Sequence, residues 1–275
     1  MNFIKSKFTG NLVNYNKYHF LINAFLINII LLYKRMLRTP NTVRKTYDKE
    51  RSLLNPKNLF DNEKDFVLFK DKIIVGNSNK IRKILIKKIQ KHLSKDKYDL
   101  VIEIGSGTGI NLFYLSKNNI KTIFLGLELS KKSVNLCNQT KNLFKRKNIN
   151  FINANIIKPV KLINYEKYKK ILIFTSFALE QIPNLKHLNK CIKNILRLNP
   201  HKIIFFEPDP TLWDWSFRNI VARIRSFRMN RLPSLLPSVE NSLKRNTKYK
   251  IIKKERCKLG FNPHCEMTEI ILEIK

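Results

Sequence analysis

At 275 residues and 43% apolar content, the chain is long enough for one large domain with a buried core and too short for two full ones. Its four cysteines (Cys137, Cys191, Cys257, Cys265) are scattered without a C-x-x-C pair, so neither a disulfide framework nor a zinc site is indicated and a reducing, cytoplasmic setting is the default expectation. The formal net charge of +34 would ordinarily suggest nucleic acid or an anionic membrane, but Lys, Asn and Ile are enriched together, as an AT-rich genome imposes on any protein.

The first 98 residues carry no clear strand pattern. Within an apolar helix expected at about 18–35, Phe20 to Tyr33 (FLINAFLINIILLY) forms a 14-residue apolar run between Lys17 and Lys34-Arg35. A spanning helix needs about 20 such residues. Three readings stand in order: a helix packed on the domain, peripheral (monotopic) membrane contact, or a span. Basic flanks and Tyr18 and Tyr33 would suit the interface, and no small-residue cleavage site follows, against a secretory signal. Residues 36–60 read as an extended arm, so 1–77 form an N-terminal helical and extended segment ahead of a domain at 78–275. From Ser78 to Leu93 a helix is expected, capped by Asn77 or Ser78, with Ile81, Ile84, Leu85, Ile89 and Leu93 on one face.

Residues 99–109, DLVIEIGSGTG, carry the most information. An apolar strand runs into Gly105, Gly107 and Gly109, and the helix-spaced INLFYL follows. Glycine serves where a strand turns sharply into a helix and where backbone must approach a ligand, and the helix offers free N–H groups and a positive dipole end. A dinucleotide site requires G-x-G-x-x-G/A, yet Ile110 stands at the third glycine position; a P-loop requires Lys then Ser or Thr, which are missing. A second strand, Thr122 to Leu127, ends at Glu128, where a carboxylate can hold two vicinal ribose hydroxyls. A helix (Lys131 to Phe144), a third strand at Asn150 to Asn153, a fourth at Lys170 to Thr175 opening into SFALEQIPN, and a fifth at Lys202 to Phe206 before Glu207-Pro208 follow in order.

The E-x-G-x-G-x-G loop, the acid at Glu128 and the S-x-x-L-E-Q-I-P segment together resemble class I S-adenosylmethionine-dependent methyltransferases of the small-molecule type. That resemblance implies an α/β fold, a Rossmann-like seven-stranded mostly parallel sheet with helices on both faces and an antiparallel C-terminal strand pair. It implies S-adenosyl-L-methionine as cofactor: Gly105, Ser106, Gly107 and Gly109 near its methionine part, Glu103 at its amino end, Glu128 and Leu129 at the ribose, and Asn155 with Ile156 at the adenine. Asn155 departs from the usual Asp. Thr175 completes the cofactor set and lies with Ser176 at the substrate-facing mouth. The adenine-N6 tetrad Asn/Asp-Pro-Pro-aromatic is replaced here by Thr175-Ser176-Phe177-Ala178, which disfavours that activity.

Between strands five and six, at about 210–247, the family builds a substrate lid. Arg218, Arg223, Arg225, Arg228 and Arg231 crowd this stretch, interleaved with apolar residues. Arginine suits bidentate contact to phosphate or carboxylate, so Arg218 and Arg225 are candidate substrate contacts, against the plainer reading of a solvated basic face. The C-terminal runs YKIIKKERCKLGF and MTEIILEIK are expected to pair across Asn262-Pro263-His264. Candidate general bases are His264, with Glu266 two residues on to raise its basicity, then Glu180 and His187. No metal is expected. The leading reading is a methyltransferase of a small, acidic or lipid-linked metabolite. An RNA methyltransferase, motivated by charge, and a non-catalytic scaffold that kept the fold, motivated by Asn155, are the alternatives.

Overall fold

In the computed structural model, residues 3–5, 12–14, 22, 25–26, 64–162, 164–182, 184–228 and 235–275 are described. The strands are β1 (Phe3–Lys5), β2 (Leu12–Asn14), β3 (Lys64–Phe69), β4 (Lys72–Asn77), β5 (Leu100–Ile104), β6 (Ile123–Glu128), β7 (Ile149–Asn153), β8 (Ile171–Ser176), β9 (Lys202–Pro208), β10 (Tyr249–Arg256), β11 (Leu259–Gly260) and β12 (Met267–Ile274). The helices are α1 (Ser78–Lys95), α2 (Ile110–Asn118), α3 (Lys131–Leu143), α4 (Leu185–Arg197), α5 (Phe217–Arg228) and α6 (Leu235–Arg245). Seven strands form the central sheet in the order β10-β12-β9-β8-β5-β6-β7. β7, β6, β5, β8 and β9 run parallel, while β12 is antiparallel to both β9 and β10. Every residue of β5 and β9 is buried, as strands covered on both faces require.

Period-two alternation divides the core into two layers. Val101, Phe124, Leu172, Phe174, Ile204 and Phe206 face one side, where α1, α2 and α3 pack through residues such as Ile81, Leu112 and Cys137. Leu100, Ile102, Leu125, Ile173, Ile203 and Phe205 face the other, where α4 and α6 pack through Leu188, Ile192, Ile195 and Val239. α1 forms as its pattern predicts: the Asn77 side chain accepts from the Asn79 N–H at 2.7 Å, and Ile81, Leu85, Ile86, Ile89 and Leu93 are buried. α6 lies in the expected lid stretch, yet its buried Leu235, Leu236 and Val239 make it part of the core.

The hairpin β3–β4 corrects the reading that the first 98 residues lack strands. It adds β11 to make a three-stranded sheet. Its two-residue turn, Lys70-Asp71, holds both residues at positive φ (50° and 61°), where Asn-Gly or Asp-Gly is the usual signal. Asp71 is instead held by Arg256 at 2.9 Å and Lys258 at 3.2 Å. Ile22, Phe25 and Leu26 are helical, and the Phe25 ring lies 5.7 Å from that of Phe217. The remainder of the expected 18–35 helix and the 36–60 arm fall outside the described residues. Among the described residues, no helix is long and apolar enough to cross a membrane.

Candidate functional site

At the carboxyl edge of the sheet, where β5 ends between β6 and β8, the glycine loop lines a cavity of about 280 Å³. Gly105, Gly107 and Gly109 all have positive φ (69°, 55° and 73°), but for different reasons. A Cβ on Gly105 would lie 2.4 Å from the Ala178 Cβ, so this glycine admits the loop after β8. One on Gly109 would lie 2.6 Å from the Phe151 ring and 3.1 Å from the Cys137 Sγ; this residue caps α2 and lets it pack on β7 and α3. Only Gly107 has open space where its Cβ would stand, and it lines the cavity. The expectation that Gly109 approaches the ligand is therefore corrected: it is a packing glycine.

Glu128, 9% exposed at the tip of β6, holds the loop. Its carboxylate accepts from the Gly107 N–H at 2.8 Å through one oxygen and from the Ser130 N–H at 2.8 Å through the other. A carboxylate has about four acceptor sites, so each oxygen retains capacity toward the cavity it lines. Glu103 lies on the β5 face that looks toward α1 and α2. Its Oε1 accepts from Asn111 Nδ2 at 2.6 Å, and Asn111 Oδ1 accepts from Arg82 at 2.7 Å. Its Oε2 is buried with no hydrogen-bond partner among the described residues. Burial pushes the Glu103 carboxyl up to about 8, against the opposing pull of Asn111 and Arg82.

The wall opposite the glycine loop is the segment after β8. Phe177 sits at φ 53°, and Glu207 on the neighbouring strand accepts from the Ala178 and Glu180 N–H groups at 2.9 and 3.3 Å. Burial raises the Glu207 carboxyl to about 7, with the Ala178 N–H opposing it. Phe177 meets Phe261 edge to face at 5.0 Å, and Arg82 stacks on Phe261 at 5.0 Å. Ser106, Leu129, Asn155, Ile156 and Ser176 complete the expected residues on the cavity wall. The Asn155 Oδ1 already accepts from the Ile157 N–H at 3.0 Å, so one of its lone pairs shapes its own turn.

Several expected residues lie elsewhere. Thr175 is fully buried; alternation turns it to the face shared by Ile171 and Ile173, and Ser176 alone reaches the cavity. Glu180 bonds Gln181 and accepts from Cys265 Sγ at 3.5 Å, off the cavity wall. Arg218 is buried against Glu266 at 2.7 Å and donates to the Pro263 carbonyl, so it ties α5 to the turn before β12. Arg225 faces His264. His264 is itself buried, and its imidazole is held well below its ordinary pKa by burial, then by Arg225 and Arg218. The expected support from Glu266 fails, because that carboxylate is engaged by Arg218 and Arg256. His187 sits at the capping turn of α4, its N–H donating to Asn184 Oδ1. None of these lines the cavity.

Sequence reasoning passed over Arg82, Asn111 and Phe261. Asn111 is a lone amide in the apolar INLFYL run, and Arg82 is the single arginine of the lysine-rich α1; both are signals that could have flagged them.

The residues fit S-adenosylmethionine. A sulfonium ligand with an α-amino group, a carboxylate and a ribose would meet an unpartnered buried carboxyl oxygen, a guanidinium and an acid with spare acceptor sites. Over residues 97–176 the sequence matches the family described as "Putative methyltransferase". No curated protein is recognisably similar to the chain in sequence. Among solved structures, the fold is shared with the [4+2]-cyclase SpnF (TM-score 0.62, 11% identity, 87% of this chain and 97% of that one). It is shared also with magnesium protoporphyrin IX methyltransferase (ChlM) from Synechocystis PCC 6803 with bound SAM (TM-score 0.58, 12% identity, 87% and 99%). A third likeness is the methyltransferase domain of bacterial CtHen1 (TM-score 0.53, 14% identity, 72% and 100%). The sequence match spans the glycine loop and Glu128, and the sheet around them has the fold of solved S-adenosylmethionine-dependent methyltransferases, a family whose methyl donor is S-adenosylmethionine.

Proposed function

We propose that the chain transfers a methyl group to a small acidic or lipid-linked acceptor. The observation that carries this is the pairing of two features in one cavity: Gly107, open on its Cβ side, beside Glu128, and the unpartnered oxygen of Glu103. Bound S-adenosylmethionine supplies an electrophilic methyl on a sulfonium whose charge vanishes in an in-line displacement. Glu103 holds the amino end, Arg82 the carboxylate, Glu128 the ribose, and Asn155 with Ile156 the adenine. Phe177, Leu179, Ile182 and Phe261 supply an apolar wall that excludes water and orients the acceptor. Among the described residues, no histidine lines the cavity. An acceptor that arrives ionised, as an acid does, needs no general base, which agrees with the neutral, buried state of His264.

An RNA acceptor is the weaker reading. The chain has a basic groove of about 840 Å³ lined by Lys190, Lys193 and Arg197 of α4 and Lys244 and Arg245 of α6. α4 starts at the loop that walls the cofactor cavity and runs back along the sheet, so this groove lies toward the opposite edge. Calorimetry with S-adenosylmethionine tests the reading: the folded wild type binds, whereas no binding would leave a scaffold that kept the fold. A metabolite comparison between a deletion strain and its parent then identifies the acceptor as a species lacking one methylene. An accumulation of undermethylated RNA instead would select the other substrate class.

A further inference from the structure

On the turn before α5, the chain holds an ordered tryptophan out in solvent. Trp215 is 78% exposed, yet the turn that carries it is pinned on every side. Asp214 Oδ1 accepts from the Ser216 N–H at 3.0 Å and from Asn219 Nδ2 at 2.7 Å, while its Oδ2 accepts from Arg256 at 2.6 Å. Arg223 donates to the carbonyls of Pro210, Trp213 and Asp214, each at 2.9 Å, and its guanidinium lies 4.3 Å from the Trp215 ring. A surface ring left over from packing would need none of this ordering. Phe217 and Phe227 on α5 are also about half exposed, and Phe217 meets Phe25 of the N-terminal apolar run, whose Ile22 and Leu26 are half exposed. Five large apolar side chains from two segments thus stand on a surface joined at the Phe25–Phe217 contact.

Apart from Asp214, which Arg256 engages, the sequence that carries them supplies only positive charge, of which Arg218, Arg223 and Arg225 are turned inward. Residues 1–47 contain no Asp or Glu, and neither do residues 215–239, which carry five arginines. The apolar run at 20–33 is too short to span a bilayer and is flanked by Lys17 and Lys34-Arg35. Aromatic and aliphatic groups interleaved with arginine suit the headgroup boundary, where rings enter the acyl region and guanidinium groups meet phosphate. We propose that this ridge of α5, the Trp215 turn and the N-terminal helical residues docks the protein on an anionic phospholipid bilayer, without crossing it. α5 is tied to the cavity side of the molecule by one connection: Arg218 at its start bonds the Pro263 carbonyl, two residues from the cavity-lining Phe261.

The two tryptophans make the test direct, since Trp213 is 4% exposed and Trp215 reports on the surface. The full-length protein is mixed with phosphatidylglycerol–phosphatidylcholine vesicles and with pure phosphatidylcholine vesicles, and followed by co-sedimentation and tryptophan emission. Partitioning to the anionic vesicles is expected, with a blue shift that brominated acyl chains quench. The double variant Trp215→Ser, Phe227→Ser should lose about tenfold or more in partitioning, from the apolar area it removes, with S-adenosylmethionine affinity unchanged by calorimetry. Binding that the double variant retains, with no blue shift in the wild type, would overturn the proposal and reduce the effect to general basicity. No vesicle binding at all would overturn it too, leaving the ridge to a protein or RNA partner. Calorimetry reads cofactor binding independently, so either failure leaves the methyltransferase reading standing.

Discussion

Two clusters of buried charge, one on the cavity wall and one away from it, stand in opposite states. On the glycine-loop rim, Glu103 keeps one oxygen without a partner, and Glu128 uses one backbone N–H per oxygen. In the cluster between α5 and the turn before β12, Glu266 is fully engaged: Arg218 takes one oxygen and Arg256 spans both. Asp214 and Asp71 complete that network through Arg256. The comparison separates ligand sites from structural ones. A buried charge with an unmet hydrogen bond costs stability unless something fills it, whereas a closed network needs nothing further.

The largest expected effects come from the glycines. Gly107→Val places a β-branched residue at φ 55° and fills open cavity space, so S-adenosylmethionine affinity should fall more than about 100-fold, while the fold survives a cost of about 1–2 kcal/mol. Gly109→Val should do the reverse. Its side chain meets Phe151 at 2.6 Å in a packed core, so thermal unfolding should drop sharply or the protein should fail to fold. Calorimetry and thermal melts on both variants check this pair. A Gly107→Val protein that binds normally would break the comparison at its strongest point.

Next comes the closed network. Arg218→Met removes one partner of a carboxylate with no exposure and should cost about 3 kcal/mol, the low end for a broken buried pair because Arg256 stays. Denaturant unfolding measures it, and S-adenosylmethionine affinity should be unchanged. Lost affinity at unchanged stability would return Arg218 to the ligand.

These contrasts mark what was legible in the chain. The apolar runs of β5, β6, β8 and β9 and the C-terminal pair follow from alternation and burial, and Glu128 from its place after the second of them. Gly107 and Gly109 look alike by spacing; their difference lies in Phe151 and Cys137, far off in sequence. Arg218 and His264 have the residue types of a site, but whether a charge is already partnered is a tertiary fact. The β3–β4 hairpin escaped notice because its turn uses Lys70-Asp71, stabilised by Arg256 and Lys258 from the other end of the chain.

A pH series sharpens the open rim. Burial lifts Glu103 to about 8, so in the free protein it is largely protonated at pH 6 to 7.5. An ammonium group favours the carboxylate, and α-amino groups stay protonated below about pH 8. Binding must then release a proton, and affinity should rise with pH across this window by up to about tenfold per unit. Glu103→Gln should bind more weakly and flatten the slope. A slope that survives the substitution would transfer the effect to Glu207, lifted to about 7 behind the segment that walls the cavity.

The smallest effect belongs to His264. Its folded pKa lies below its unfolded value because burial, Arg225 and Arg218 all oppose the charged form. As pH falls below about 6.5 the unfolded chain takes up a proton that the folded imidazole refuses, so stability declines by up to about 1.4 kcal/mol per unit. Glu103 and Glu207 act in the opposite sense, since their raised carboxyls bind protons more readily when folded. The wild-type melting curve therefore mixes both signs, and the difference between wild type and His264→Gln isolates the histidine. That difference should shrink toward acid from pH 7 to pH 5, as the wild type loses stability that the glutamine variant keeps. A constant difference would mean that His264 titrates alike folded and unfolded, which two neighbouring guanidinium groups in a dry setting forbid.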